Sequence, residues 1–326
     1  MASLPDLYEA VKSRDCILFL GAGVHYPPPS DLAEYQYPKE QQPPLGKEFS
    51  HALAKDSLHK LLAGSKDEPL EKNEKEDRKV RAAELRRRHR YLWENRDDLQ
   101  RTSWFYDLRF QRAALIDRVS ESVEQGKKPS AIVRALAEID FPIVITTNYD
   151  RLFEQALGML GKKVSPIIYD PERREQTVDL RSVPKKGQDE RWLFKIHGCT
   201  SAPESIVITD EDYIRFVMRM NDPEDFHPIP QKIRTQLAEW SALFVGYSLL
   251  DYNLRLLFRT LRWRIKPALR PATFSLDLSP DMLIEATYGA PENQLAKEPL
   301  VRFIARDIWK FVPHLYEDVL GKKMPP

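Results

Sequence analysis

The sequence predicts an α/β fold: a parallel sheet with helices on both faces and a helical insertion. Three observations carry that expectation. Short runs of β-branched and apolar residues recur along the chain, each ends in a polar or glycine-bearing turn, and stretches of helical spacing come after them. Strands covered on both faces read as nearly continuous apolar runs, and ligands collect outside their carboxyl ends. The clearest case is Phe141 to Asp150, FPIVITTNYD, which leads into helical spacing from Arg151. Asn148 and Asp150 stand at such a strand end, although capping of the next helix accounts for them at least as well when they are taken alone.

At 326 residues the chain exceeds what one core usually fills. It is expected to divide into a sheet domain, residues 1–62 and 140–326, and a helical insertion, residues 63–139. Charged residues make up 30% of the chain, yet the formal net charge is +1, which gives no electrostatic case for direct nucleic-acid binding. No apolar run approaches a membrane span, and the N-terminus has no long apolar core such as a signal peptide needs. A cytoplasmic protein without a membrane partner is expected. The two cysteines, Cys16 and Cys199, cannot supply a four-thiolate zinc site or a disulfide framework, so no metal site is expected.

Taken in order, residues 4–13 read as an amphipathic helix and Cys16 to Leu20 as a buried strand running into Gly21, Ala22 and Gly23. Two glycines at a strand end let backbone approach a phosphate, and a helix N-terminus next to them would add donors. A tight turn without a ligand explains GAG equally well. A proline-rich loop of roughly twenty residues, 24–46, precedes a helix from Lys47 to about Leu62; connections of that length are uncommon without function, which suggests a lid. Residues 63–79 read as a solvated linker, and 81–96, 104–125 and 129–138 as helices. The run Arg86 to Arg90 is flanked by Leu85, Tyr91, Leu92 and Trp93, which favours a solvated helix face over a nucleic-acid patch.

Further strands are expected at Lys163 to Tyr169, with Pro166 suggesting an edge, and at Trp192 to Ile196, ending in His197 and Gly198. Ile206 to Ile208 reads as a short strand, 210–220 and 229–239 as helices, and Ala242 to Val245 as a strand ending in Gly246, Tyr247 and Ser248. Asp251 and Asn253 are expected to open a helix over 254–261. Pro271 to Asp277 is a strand whose Asp277 could take a ribose hydroxyl or serve as a turn former; Leu300 to Ala305 is the last strand and Ile308 to Leu320 the closing helix.

Gly21-Ala22-Gly23, Thr147-Asn148-Tyr149-Asp150, Lys195-Ile196-His197-Gly198 and Gly246-Tyr247-Ser248 occur in the order and strand-end setting of the sirtuin-like fold. The resemblance covers almost the whole chain. The loop ending in Pro44 to Phe49 and the run Gly246 to Asn253 look like the sirtuin-like family of bacterial antiphage defence rather than the protein deacylases. The resemblance implies a Rossmann-like parallel sheet that takes NAD as substrate, with Asn148 and His197 catalytic and Asp150 near the nicotinamide amide. It further implies contacts to NAD from Gly21, Ala22, Gly23, Val24 and Thr147 and, on the adenosine side, from Gly246 and Ser248. Two departures stand out. The deacylases carry a zinc ribbon of four cysteines, which this chain cannot form, and His25 with Pro27, Pro28 and Pro29 replaces their loop after the glycine turn.

The expected activity is therefore an NAD glycohydrolase that yields nicotinamide and ADP-ribose, needs no zinc, and depletes NAD when infection triggers it. It is expected to self-associate or to work with a defence partner such as a DNA-translocating ATPase or nuclease. A low-turnover nucleotide-binding sensor or scaffold is the alternative from another class, and a zinc-free deacylase or ADP-ribosyltransferase the weaker one.

Overall fold

The computed structural model describes residues 4–67, 74–172, 184, 190–220, 227–248, 265, 270–289 and 299–326. Its elements in chain order are α1 (Leu4–Lys12), β1 (Cys16–Leu20), α2 (Gly46–Asp67), α3 (Glu74–Glu94), α4 (Leu99–Phe110), α5 (Arg112–Val123), α6 (Ala131–Glu138), β2 (Ile143–Thr146), α7 (Leu152–Met159), β3 (Lys163–Ile168) and β4 (Glu190–Lys195). Next come α8 (Asp210–Arg219), α9 (Gln231–Glu239), β5 (Ser241–Val245), β6 (Thr273–Leu276), α10 (Met282–Tyr288), β7 (Arg302–Ile304) and α11 (Ile308–Leu320). Among the described residues the strands form one seven-stranded sheet in the order β3-β4-β2-β1-β5-β6-β7. All six pairings are parallel. This is the expected Rossmann-like architecture.

The central strands β1 and β5 are almost wholly apolar because both faces are covered. Leu18, Leu20, Val144, Leu193, Leu243 and Val245 point into a cluster with helices α1, α6 and α11. Their alternates Ile17, Phe19, Ile143, Ile145, Phe194 and Phe244 point into the opposite cluster with α8, α9 and α10. Side chains on a strand alternate with period two, so one run of residues serves two cores. Phe19 and Phe244 stack across β1 and β5 with ring centroids 4.3 Å apart. A third cluster joins Phe49 and Leu53 of α2, Tyr106 of α4, and Leu115 and Val119 of α5 to Ile206 and Ile208.

Several expectations are corrected by these elements. Residues 63–79 are not one solvated linker: α2 runs on to Asp67 and α3 starts at Glu74, so helix formation extends into a stretch whose polarity suggested coil. The helix expected over 104–125 is two helices, α4 and α5, broken at Gln111, which takes φ 73°. Ser130 rather than Pro129 starts α6, its hydroxyl accepting from Val133 N at 3.3 Å. Ile206 to Ile208 lies outside the sheet; it is apolar because it packs on the helical layer. Helix α6, expected within the 63–139 insertion, packs instead against α7 and α11 in the core of the sheet. The helix expected over 254–261, with Asp251 and Asn253, falls outside the described residues. Pro166 does lie on an edge strand. No described helix is long and apolar enough to cross a membrane.

The stacked pair at the centre of the sheet should dominate stability. Phe244→Ala is expected to cost about 3–5 kcal/mol, the usual range for emptying a buried phenylalanine site. Urea denaturation measures it, and a loss below about 1 kcal/mol would mean that the core collapses around the gap.

Candidate active site

Parallel pairing sets Leu20 opposite Thr146 and Val245, and Thr146 opposite Lys195, so four strand ends open on one edge. The strand order reverses at β1, between β2 and β5, which is where the crevice of such a sheet lies. Three polar contacts converge on one carbonyl there. Thr146 Oγ1 and Tyr247 Oη each donate to Leu20 O at 2.8 Å, and Thr147 N reaches it at 3.3 Å.

The GAG turn is packed against a second glycine turn. Gly21 N donates to Val245 O at 3.0 Å and Gly23 N to Gly246 O at 2.9 Å. Gly246 has φ 78°, and a Cβ there would overlap Val24 N, while one on Gly21 would overlap Gly246 O. Glycine is needed at both for the two turns to touch. The chain leaves Gly21 in a single 3₁₀ turn, Ala22–His25, and its next α-helix begins only at Gly46.

A cavity of about 140 Å³ opens beside this turn. Ala22, Thr147, Asn148, Asp150 and His197 line it, with Pro43, Pro44 and Gly46 from the long loop forming another wall and Tyr213 a third. The two residues expected to be catalytic thus share one cavity. Its size is below the ~300–1,000 Å³ typical of sites that enclose a whole small ligand. Room for a nicotinamide-sized group is present here, not for an entire dinucleotide. His197 is 2% exposed, its ring edge-to-face with Tyr213 (centroids 5.2 Å) and Phe216 (5.6 Å). Gly198, at φ 86°, lets the chain turn directly after it against Ser205.

Not every expected residue meets the cavity. Gly21, Gly23, Val24 and Gly246 are packed against one another beside it; Ser248 is exposed beyond Tyr247. Asp277 ends β6, and its carboxylate accepts from Ser279 N at 3.0 Å, which is the turn-forming role. Two residues escaped the reading of the sequence as site members. His25 is 4% exposed and lines the cavity, its Nε2 3.4 Å from Asp150 Oδ2. Lys195, fully buried, donates to the main-chain carbonyl of Asp150 and lies 3.0 Å from Glu154 Oε1. His25 carried no usual motif, and Lys195 sat in the quoted Lys-Ile-His-Gly run without a chemical reason to single it out.

Burial acts against charge on these groups, and their partners decide the outcome. For Asp150, burial would raise the carboxyl pKa, but the charge of His25, a hydrogen bond to it and the charge of Lys195 hold it below the usual carboxylate range. For Lys195, burial favours the neutral amine; Glu154 foremost outweighs it, and the ammonium is kept. Burial pushes the Glu154 carboxyl up. Among the described residues no group of three His, Cys, Asp or Glu side chains could hold a metal ion, and both cysteines are buried thiols.

The buried ammonium should be worth several kcal/mol. Lys195→Met is expected to destabilise the chain by about 3 kcal/mol, since breaking a buried pair leaves a carboxylate and a carbonyl without their partner. Adding Glu154→Gln should recover part of that loss. Equal stability of wild type and Lys195→Met in chemical denaturation would show that the pair does not hold the Asp150 turn.

Comparison with known proteins shows what this chain is similar to. The SIR2-like domain family matches residues 142–300. NAD(+) hydrolase ThsA of Acinetobacter baumannii is 26% identical over 218 residues, covering 64% of this chain and 42% of that protein. Defense-associated sirtuin 2 of Bacillus subtilis is 23% identical over 263 residues, 79% of this chain and 20% of that protein. NAD(+) hydrolase ThsA of Bacillus cereus is 30% identical over 121 residues, 37% of this chain and 22% of that protein. The chain thus spans less than half the length of these relatives. The match to the SIR2-like domain family covers residues 142–300, just under half of the chain, and the strand-end motifs at Asn148, His197 and Gly246 fall within it.

Proposed function

We propose that the chain cleaves NAD to nicotinamide and ADP-ribose, and that it does so in antiphage defence. The observation that supports this most is the meeting of Asn148 and His197 in one small cavity at the strand ends, in a chain similar to proteins named NAD(+) hydrolase. The nicotinamide of NAD is already a good leaving group. Breaking its glycosidic bond requires the ribose to be held and an oxocarbenium-like centre to be stabilised, which positioned dipoles and charges supply.

In this reading the cavity takes the nicotinamide end. Asp150 is an ionised carboxylate on its wall and an acceptor for the amide of the ring. Asn148, donor and acceptor at once, orients an attacking water or a ribose hydroxyl; His197 accepts the proton. The rest of the dinucleotide runs past Gly21 and Gly23 toward Gly246 and Ser248. Water is the acceptor, and no metal takes part. The loop 24–46 acts as the lid: Pro43 and Pro44 close one side of the cavity. It is tied down by Trp309 Nε1 on Tyr26 O at 3.1 Å, by Lys128 N on Gln41 O at 3.0 Å and by Tyr35 Oη on Met324 O at 3.3 Å.

The full chain, alone or with its partner, should release nicotinamide from NAD in the presence of a chelator. Asn148→Ala and His197→Ala should each lower release by about 100-fold or more, the scale of a lost general base or positioning group; Asn148→Ala should leave the denaturation midpoint nearly unchanged, whereas truncating His197, buried against two aromatic rings, should lower it. Near-normal turnover in either variant would overturn the assignment, and loss of turnover on chelation would overturn the metal-free chemistry.

A further inference from the structure

His25 lies on a wall shared by two cavities, the small one with Asn148 and a larger one of about 720 Å³ under the 24–46 loop. Its Nε2 is 3.4 Å from Asn148 Nδ2 and 3.4 Å from Asp150 Oδ2. An amide nitrogen only donates and a carboxylate oxygen only accepts, so one ring nitrogen cannot satisfy both in a single protonation state. Without a proton, Nε2 accepts from Asn148. With one, it donates to Asp150.

The orientation of Asn148 is set by its other neighbour. Asn148 Nδ2 also lies 3.3 Å from Gly21 O, and a carbonyl can only accept, so the nitrogen end of the amide must face that way. With one N–H on Gly21 O and the other on His25 Nε2, both donors of the amide are used. Its oxygen is left as the sole free function, an acceptor for water or a ribose hydroxyl. Among the described residues His25 Nδ1 is buried without a protein partner, which leaves it to water or substrate; an acceptor there would draw the ring proton to Nδ1 and free Nε2 for Asn148.

We propose that His25 is a positioning residue for the reaction: the ring unprotonated at Nε2 locks the Asn148 amide with its oxygen free, and protonation transfers the ring to Asp150 and releases that amide. The kinetic part rests on the NAD-cleaving reading above. The charged and titratable groups around the ring come from several elements. Asp150 lies just past β2, Glu154 is on α7, Lys195 and His197 end β4, and Tyr213 is on α8. Glu48 starts α2, and Tyr37, Lys39 and Lys127 share the larger cavity.

The test compares wild type with His25→Gln, whose side-chain oxygen accepts from Asn148 without titrating, and His25→Phe, which does neither. Nicotinamide release is measured against pH, and the Asn148 side-chain amide is tracked by nitrogen-15 NMR in the full chain without NAD. In wild type, kcat should fall about tenfold per pH unit as the ring protonates, with KM little changed. His25→Gln should keep plateau kcat within about threefold and lose the part of the acid limb that follows the His25 ring, leaving only the limb of His197, while His25→Phe should lose about tenfold or more in kcat at every pH. The Asn148 amide resonances should move with the midpoint of the His25 ring carbons and stop moving in His25→Gln. An acid limb in His25→Gln with the slope and midpoint of wild type overturns the proposal, as do Asn148 resonances that ignore the His25 titration. If wild type releases no nicotinamide at any pH, the NAD reading fails, and the NMR titration alone decides whether His25 sets Asn148.

Discussion

One buried ammonium holds the edge of the sheet on which everything else is arranged. Lys195 ends β4 with its side chain fully enclosed, and it ties the main chain of Asp150, after β2, to Glu154 on the next helix. An ion taken out of water is costly unless it is paired and hydrogen-bonded, and here each requirement is met by a different part of one turn. The same turn carries Asn148 and Asp150 into the cavity. Its geometry is therefore set from behind, by a charge that does not itself line the cavity. The stacked rings of Phe19 and Phe244 do the equivalent work for the centre of the sheet through apolar contact.

Most of the fold was legible because burial on two faces writes itself into composition. A strand that feeds two cores is apolar at successive positions, so β1, β2, β5 and the Trp192–Phe194 stretch of β4 stood out as apolar runs. Helix ends were less legible. The end of α2 and the start of α3 are rich in charge, and composition there resembles coil because little of these helices' surface needs to be apolar. Ile206 and Ile208 misled in the other direction: β-branched residues bury against helices as readily as in a sheet, and period alone cannot tell the two apart over three residues.

Around the cavity, residues at strand ends could be read and a residue carried there by a loop could not. Asn148 and His197 come directly after strands, so the parallel topology brings them together without knowledge of any loop. His25 reaches the cavity because a single 3₁₀ turn after Gly21 swings it there, a local choice that the prolines after it do not reveal. Asp277 shows the converse. A carboxylate at a strand end suits a ligand or a turn, and here one of its oxygens accepts from its own backbone two residues on.

Tyr247 bears on the order in which the chain becomes competent. Its hydroxyl binds the carbonyl of Leu20, 227 positions earlier, and also contacts Thr147 Oγ1 at 3.2 Å. The central strand cannot gain its second neighbour, nor the cavity edge its last support, until the ribosome has delivered β5. Contacts so distant in sequence are slow to form, and a nascent chain folds its early segments without them. A chain truncated by stalled or aborted translation before β5 would carry Asn148 and His197 yet lack the frame that holds their edge of the sheet in place. In an unfinished copy that edge of the sheet stands without its frame.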